Sequence, residues 1–274
     1  MWAILGFLLA AAIGLVVVLA ASPHGPGKRG RHPWMLYETA KLHVGIMANL
    51  AGFAFTGIVL VVSLVRERPG IAGSSLDTVV VMFLVAYLFW VGNAFLISYM
   101  PHADTSGDLV PRVHFSLAST IEYRTVFVSW FALLPLLQAN GLDRLAYVLY
   151  FLLPASLVLG SVIIAMAADG LGLLRVRETY VSAAVGTGLA LVYTAIVVFA
   201  VPEARSQYSA LNLTLVIFCV NTLGFGLAAL TPLSPRYASI KRFYKQHGRR
   251  IVIADMQLTM VSLAFLWLAV VGVI

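Results

Sequence analysis

Residues 77–100 read DTVVVMFLVAYLFWVGNAFLISYM, and the fold follows from how little this stretch offers to water. Its single charge, Asp77, stands at the start, and its single amide is Asn93. A helix needs roughly 20 apolar residues to cross the hydrocarbon core of a bilayer. Working outward, seven more stretches meet that requirement. The eight candidate spans lie at about 2–21, 40–65, 77–100, 118–139, 145–168, 179–201, 209–231 and 251–273. The breaks between them carry turn chemistry: Ser22-Pro23-His24-Gly25-Pro26-Gly27, Pro69-Gly70, Asn140-Gly141 and Pro232-Leu233-Ser234-Pro235. No break is long enough to hold a soluble domain. The expectation is an all-α integral membrane protein, one polytopic domain over residues 1–274.

Composition agrees. Of 274 residues, 61% are hydrophobic and 11% charged, against about 25% charged in a soluble domain. That is too little charge to cover a water-facing surface, so lipid is the solvent for most of it. The formal net charge of +7 sits in the breaks between apolar runs. This distribution suits anionic lipid headgroups and not nucleic acid. Cys219 is the only cysteine, which excludes an intrachain disulfide and any Cys/His metal pattern.

Charge also orients the chain. Only Met1 precedes the first apolar run, and the cluster Lys28, Arg29 and Arg31 follows it. The positive-inside rule then puts the N-terminus outside. The first helix is expected to stay uncleaved, although Leu19-Ala20-Ala21-Ser22 resembles a signal-peptidase site. Eight spans return the C-terminus to the outside and place 14 of the 18 Lys and Arg residues in the cytoplasm. The setting is a multi-pass protein of a bacterial-type cytoplasmic membrane. A weak four-plus-four parallel repeat is suggested by Glu38-Thr39 beside Glu178-Thr179, and by Asn93 and Asn221 in the third and seventh spans. Apolar helices also show such likeness by chance.

Polar groups inside spans carry the functional reading, because lipid makes them costly. His43 and Asn49 fall on the second span, Asn93 on the third, Glu122 and Arg124 on the fourth, Asn221 on the seventh, and Asp255 and Gln257 on the eighth. Most belong to the cytoplasmic half and, if they converge, form a polar vestibule open to the cytoplasm. The bland alternative is a set of interhelical hydrogen bonds, about 0.6 kcal/mol each. Glu122 and Arg124 are two apart and do not share a helix face, so each needs its own partner; Asp255 is the natural one for Arg124. Gly45, Asn49, Gly52 and Thr56 form a small-residue stripe, either a packing seam or a pore face. Pro135 and Pro154 interrupt the fourth and fifth spans.

The seventh break carries Arg236, Lys241, Arg242, Lys245, Arg249 and Arg250 among aromatic residues. It reads as a juxtamembrane helix on an anionic leaflet, or as a dock for an acidic protein partner. No Walker loop, GxSxG elbow, clustered-histidine motif or intramembrane Schiff-base Lys is present, and no motif names a cofactor or a metal. Three functional readings remain. The first is a transporter or channel for a small solute or ion. The second is a non-catalytic membrane subunit. The third is an enzyme on a lipid or isoprenoid substrate.

Overall fold

The computed structural model describes residues 36–67, 74–98, 109–149, 210–230 and 237–270, with isolated positions between 152 and 188. The described residues are helical. Five long helices result: α1 (Leu36–Glu67), α2 (Ser74–Ser98), α3 (Leu109–Ala139), α4 (Ala210–Leu230) and α5 (Tyr237–Val270). Among the described residues three segments are long and apolar enough to cross a membrane, Ala40–Glu67, Leu76–Ser98 and Lys241–Val270, and the chain is a membrane protein. The first expected span lies outside the described residues, as do the sixth and most of the fifth, together with Pro154.

Two helices begin far ahead of their expected starts. α3 starts at Leu109, not 118, and α5 runs unbroken from Tyr237 through the basic stretch that was expected to form a separate surface helix. Hydropathy locates the membrane, whereas helices continue wherever packing holds them. Pro111 falls in the first turn of α3, where its missing N–H costs nothing. Val110, Val113, Phe115 and Leu117 then bury a full turn and more, and the His114 ring meets Tyr244 of α5 edge-on at 5.3 Å. At about 1.5 Å per residue α5 is about 51 Å long, well beyond a roughly 30 Å hydrocarbon core.

Contacts give the directions. Tyr244, Asp255 and Thr259 of α5 meet His114, Thr120 and Arg124 of α3 in rising order, so these helices run parallel. His43 of α1 meets Phe115 and Glu122 of α3, near the start of both. α2 runs against α1 and α3, as the contacts Gly57–Phe83, Phe55–Tyr87 and Asn93–Ala118 require. α4 follows α2, with Phe218 on Phe89 and Phe225 against Gly92. The starts of α1, α3 and α5 therefore share one end. That end carries Lys41, Arg112, Lys241, Arg242, Lys245, Arg249 and Arg250, and the opposite end Arg66 and Arg144. We call it the basic end.

α3 is the central helix and packs on α1, α2, α4 and α5. It passes through Pro135 and stops at Asn140-Gly141, as the turn signal required. Gly141 adopts φ +70°. Its N–H bonds Gln138 O at 2.9 Å, and the Leu142 N–H bonds Leu137 O at 2.9 Å, the paired bonds of a Schellman cap.

The small-residue stripe is not the seam between α1 and its described neighbours. Gly45, Asn49, Gly52 and Thr56 are all exposed, and a Cβ at Gly45 or Gly52 would meet nothing within 4 Å. The buried face is Met47, Ala51, Ala54 and Val61, at helical spacing but rotated from the stripe. Gly57 makes the close approach: a Cβ there would stand 3.0–3.1 Å from three Phe83 ring atoms. Phe83 is fully buried and has no room to yield. Gly57→Leu is expected to lower the unfolding free energy by about 1–3 kcal/mol through overpacking. Gly45→Leu is expected to be nearly neutral in the same unfolding titration in detergent.

Candidate functional site

α3 solves the problem of polar groups in lipid largely within itself. Ser119, Thr125 and Ser129 turn their hydroxyls back onto their own helix, to Phe115 O at 2.9 Å, Ile121 O at 2.9 Å and Val126 O at 2.8 Å. Such back-bonding satisfies a hydroxyl without a partner helix. The residues that reach across to other helices stand apart from this pattern.

Arg124 is 1% exposed by side chain and pairs with Asp255 of α5, Nη1 to Oδ1 at 2.9 Å. The same nitrogen donates to Thr259 Oγ1 at 3.0 Å, and that hydroxyl donates to the Asp255 carbonyl at 2.7 Å. Thr120 Oγ1 closes the network onto Asp255 Oδ2. Its one proton goes to the carboxylate, a stronger acceptor than the Leu117 carbonyl also in reach. The pairing of Arg124 with Asp255 is the one the sequence pointed to.

Glu122 points the other way, toward α1. Its Oε2 lies 2.7 Å from His43 Nδ1, with side-chain exposures of 12% and 23%. The His43 ring packs edge-on against Phe115 at 5.1 Å. Two residues apart on one helix, Glu122 and Arg124 thus tie α3 to opposite neighbours. Asn93 of α2 joins from a third side, Nδ2 donating to Ala118 O at 3.1 Å. From His114 to Arg124 the polar band on α3 covers about 15 Å, starting near the basic end.

The expected site residues thus separate. His43, Glu122, Arg124, Asp255 and Asn93 are gathered around α3. Among the described residues they form one ion pair, one histidine–carboxylate contact and one amide-to-carbonyl hydrogen bond. Asn221 is fully buried on α4. Asn49 is exposed, a quarter-turn and more from the buried face of α1. Gln257 is half-buried and, two residues from Asp255, looks elsewhere. Lys241, Arg242, Lys245, Arg249 and Arg250 are exposed on the start of α5, and Arg236 lies outside the described residues.

Sequence reading overlooked Thr120 and Thr259. Each stands four residues from one charge of the pair and bonds the other, Thr120 beside Arg124 reaching Asp255 and Thr259 beside Asp255 accepting from Arg124, so the helical repeat was the available signal. A second set mixes expected residues, Asn93, Arg124 and Asn221, with two that the sequence reading passed over, Trp90 and His114. Five buried side chains keep polar atoms with no partner among the described residues: Trp90 Nε1, Asn93 Oδ1, His114 Nε2, Arg124 Nε, and both amide atoms of Asn221. Each such atom costs about 1–3 kcal/mol when buried unbonded. They are donors and acceptors of both kinds, able to hold water, a polar solute or an ion. Among the described residues no group of three His, Cys, Asp or Glu side chains is placed to hold a metal.

Comparison with known proteins adds no relative: no family model, no curated protein and no solved structure matches this chain.

Proposed function

We propose that the chain is a transport protein passing a small polar solute or ion along the polar band of α3, entered from the basic end. The observation that carries this reading is the gathering, around one central helix, of the buried Arg124–Asp255 ion pair, the Glu122–His43 contact and buried polar atoms that have no partner among the described residues. Charges within a membrane bundle are costly and commonly mark solute or proton pathways. The pairs are closed, so passage requires that they part. Glu122–His43, the more exposed pair, is the outer gate, and Arg124–Asp255 the inner one.

The finer topology belongs to this proposal: eight spans, both termini outside, the basic end in the cytoplasm, and a parallel four-plus-four repeat. Its orientation is supported by the cations gathered at the shared starts of α1, α3 and α5. The proposal is tested by reconstitution. Proteoliposomes are mixed against a panel of small neutral and charged solutes, and swelling is followed by light scattering. At least one solute should enter faster than into protein-free vesicles, and Glu122→Gln should change that rate about tenfold. Equal permeability for the whole panel would overturn the proposal.

A second reading, the membrane subunit, is favoured by a different observation. The first four turns of α5, held to α3 by Tyr244 against His114, leave Phe243 and five cations exposed at the basic end. An anionic leaflet or an acidic protein would suit that surface. Replacing Lys241, Arg242, Lys245, Arg249 and Arg250 by Gln should then release the partner in native mass spectrometry, while leaving solute entry intact.

A further inference from the structure

Between α1 and α2 runs an open groove of about 600 Å³, lined by Val44, Ala48, Gly52 and Phe55 on one side and Tyr87 and Phe95 among others on the opposite side. That volume lies within the usual range of ligand sites. Its walls are apolar, and Asn93, Glu122 and the other groups of the polar band do not line it.

Its dimensions single out one kind of occupant. From Val44 to Phe55 the groove is about 16 Å long, close to the roughly 15 Å of hydrocarbon in a single leaflet. Lys41 and Arg66 bracket the apolar part of α1, so Val44–Phe55 is the half nearer the basic end. The inner end is closed by Phe55 against Tyr87, ring centroids 6.2 Å apart. The outer end opens beside Ser98, at the end of α2. One turn further out, Lys41 stands exposed on the same face of α1 as Val44, Ala48, Gly52 and Phe55. A slot one leaflet deep, closed at the membrane centre and topped by a cation at headgroup level, matches a lipid tail below a negative headgroup.

We propose that this groove is a binding site for one anionic phospholipid of the basic-end leaflet, with a tail between α1 and α2 and its phosphate at Lys41. The site is distinct from the solute pathway, which lies on the opposite side of α1, where His43 faces α3. Selectivity comes from the headgroup, because in a bilayer the tail merely exchanges one apolar surface for another. A Lys near the membrane surface contributes about a fivefold preference for an anionic lipid.

The test is native mass spectrometry of the full chain released from nanodiscs of equal phosphatidylglycerol and phosphatidylcholine. One lipid should remain bound per chain, phosphatidylglycerol about fivefold over phosphatidylcholine. Lys41→Gln should abolish the preference while keeping the lipid. Gly52→Leu fills the groove without a clash, since its Cβ has open space, and should remove the lipid. Ala48→Phe serves the same purpose if Gly52→Leu expresses poorly. Gly45→Leu, equally unhindered but outside the lining, should retain it. Retention unchanged in both filled variants would overturn the site. So would a lipid-free wild type whose unfolding midpoint falls on Gly52→Leu, the signature of a groove filled by another segment of the chain. No response of headgroup preference to Lys41→Gln would overturn the assignment of the phosphate.

Discussion

Arg124→Met is expected to lower the unfolding free energy by about 3–5 kcal/mol, the largest effect of any single substitution in the bundle. Arg124 is 1% exposed and its partner Asp255 14%. Removing the guanidinium leaves a carboxylate deep between α3 and α5 with only Thr120 to bond it. Asp255→Leu should cost a similar amount, because it strands the arginine instead. The double variant Arg124→Met with Asp255→Leu should recover most of the loss, since an apolar pair of like volume carries no desolvation cost. Stepwise unfolding in SDS, followed by circular dichroism, measures all three. The recovery separates a charge pair from a general need for bulk: if the double variant is as unstable as either single one, packing and not charge holds α3 to α5.

Asn221→Leu should do the reverse, stabilising the fold by about 1–3 kcal/mol while slowing solute entry by an order of magnitude. Asn221 is fully buried, and neither amide atom has a partner among the described residues. A leucine of similar size fills the same space between α4 and its neighbours and relieves that cost. Proteins that keep a costly polar group where an apolar one would fit better generally keep it for function. The same unfolding titration, paired with the swelling assay, reads both effects. Loss of stability would identify Asn221 as structural; gain of stability with normal solute entry would remove it from the pathway.

Legibility differed by kind of residue. The membrane class and the positions of α1, α2 and α4 could be read from hydropathy, because a run such as 77–100 has no other stable solvent. The starts of α3 and α5 could not. Residues 109–117 and 237–250 lie outside the most apolar runs, and they are helical because His114 and Tyr244 pack them together at the basic end. The pairing of Arg124 with Asp255 was legible because a lone buried charge demands an opposite one, and few were available. The tie between His43 and Glu122 was not, because nothing in a separation of 79 residues brings the start of α1 against α3. Asn49 misled for a simple reason. A polar residue inside an apolar run signals a site only if it faces the bundle, and the phase of α1 was set by Met47, Ala51 and Ala54. Trp90 left no mark in the sequence, and Asn221 was legible as an amide within an apolar run but not as an unpartnered one, since satisfaction is a property of neighbours.

The central claim is that the polar band on α3 admits water and solute from the basic end. Cysteine accessibility tests it most directly. Cys219 is exposed and is first replaced by Ser. Single cysteines are then placed at Asn93, Thr120 and Asn221, with Ser98 as an exposed control, and a charged, membrane-impermeant thiosulfonate is applied from each side of sealed vesicles. Labelling of Asn93 and Thr120 from the basic side alone, more slowly than Ser98, is the expected result. Labelling of Ser98 with none at Asn93, Thr120 or Asn221 from either side would contradict the claim and leave these groups as the internal ties of a closed bundle.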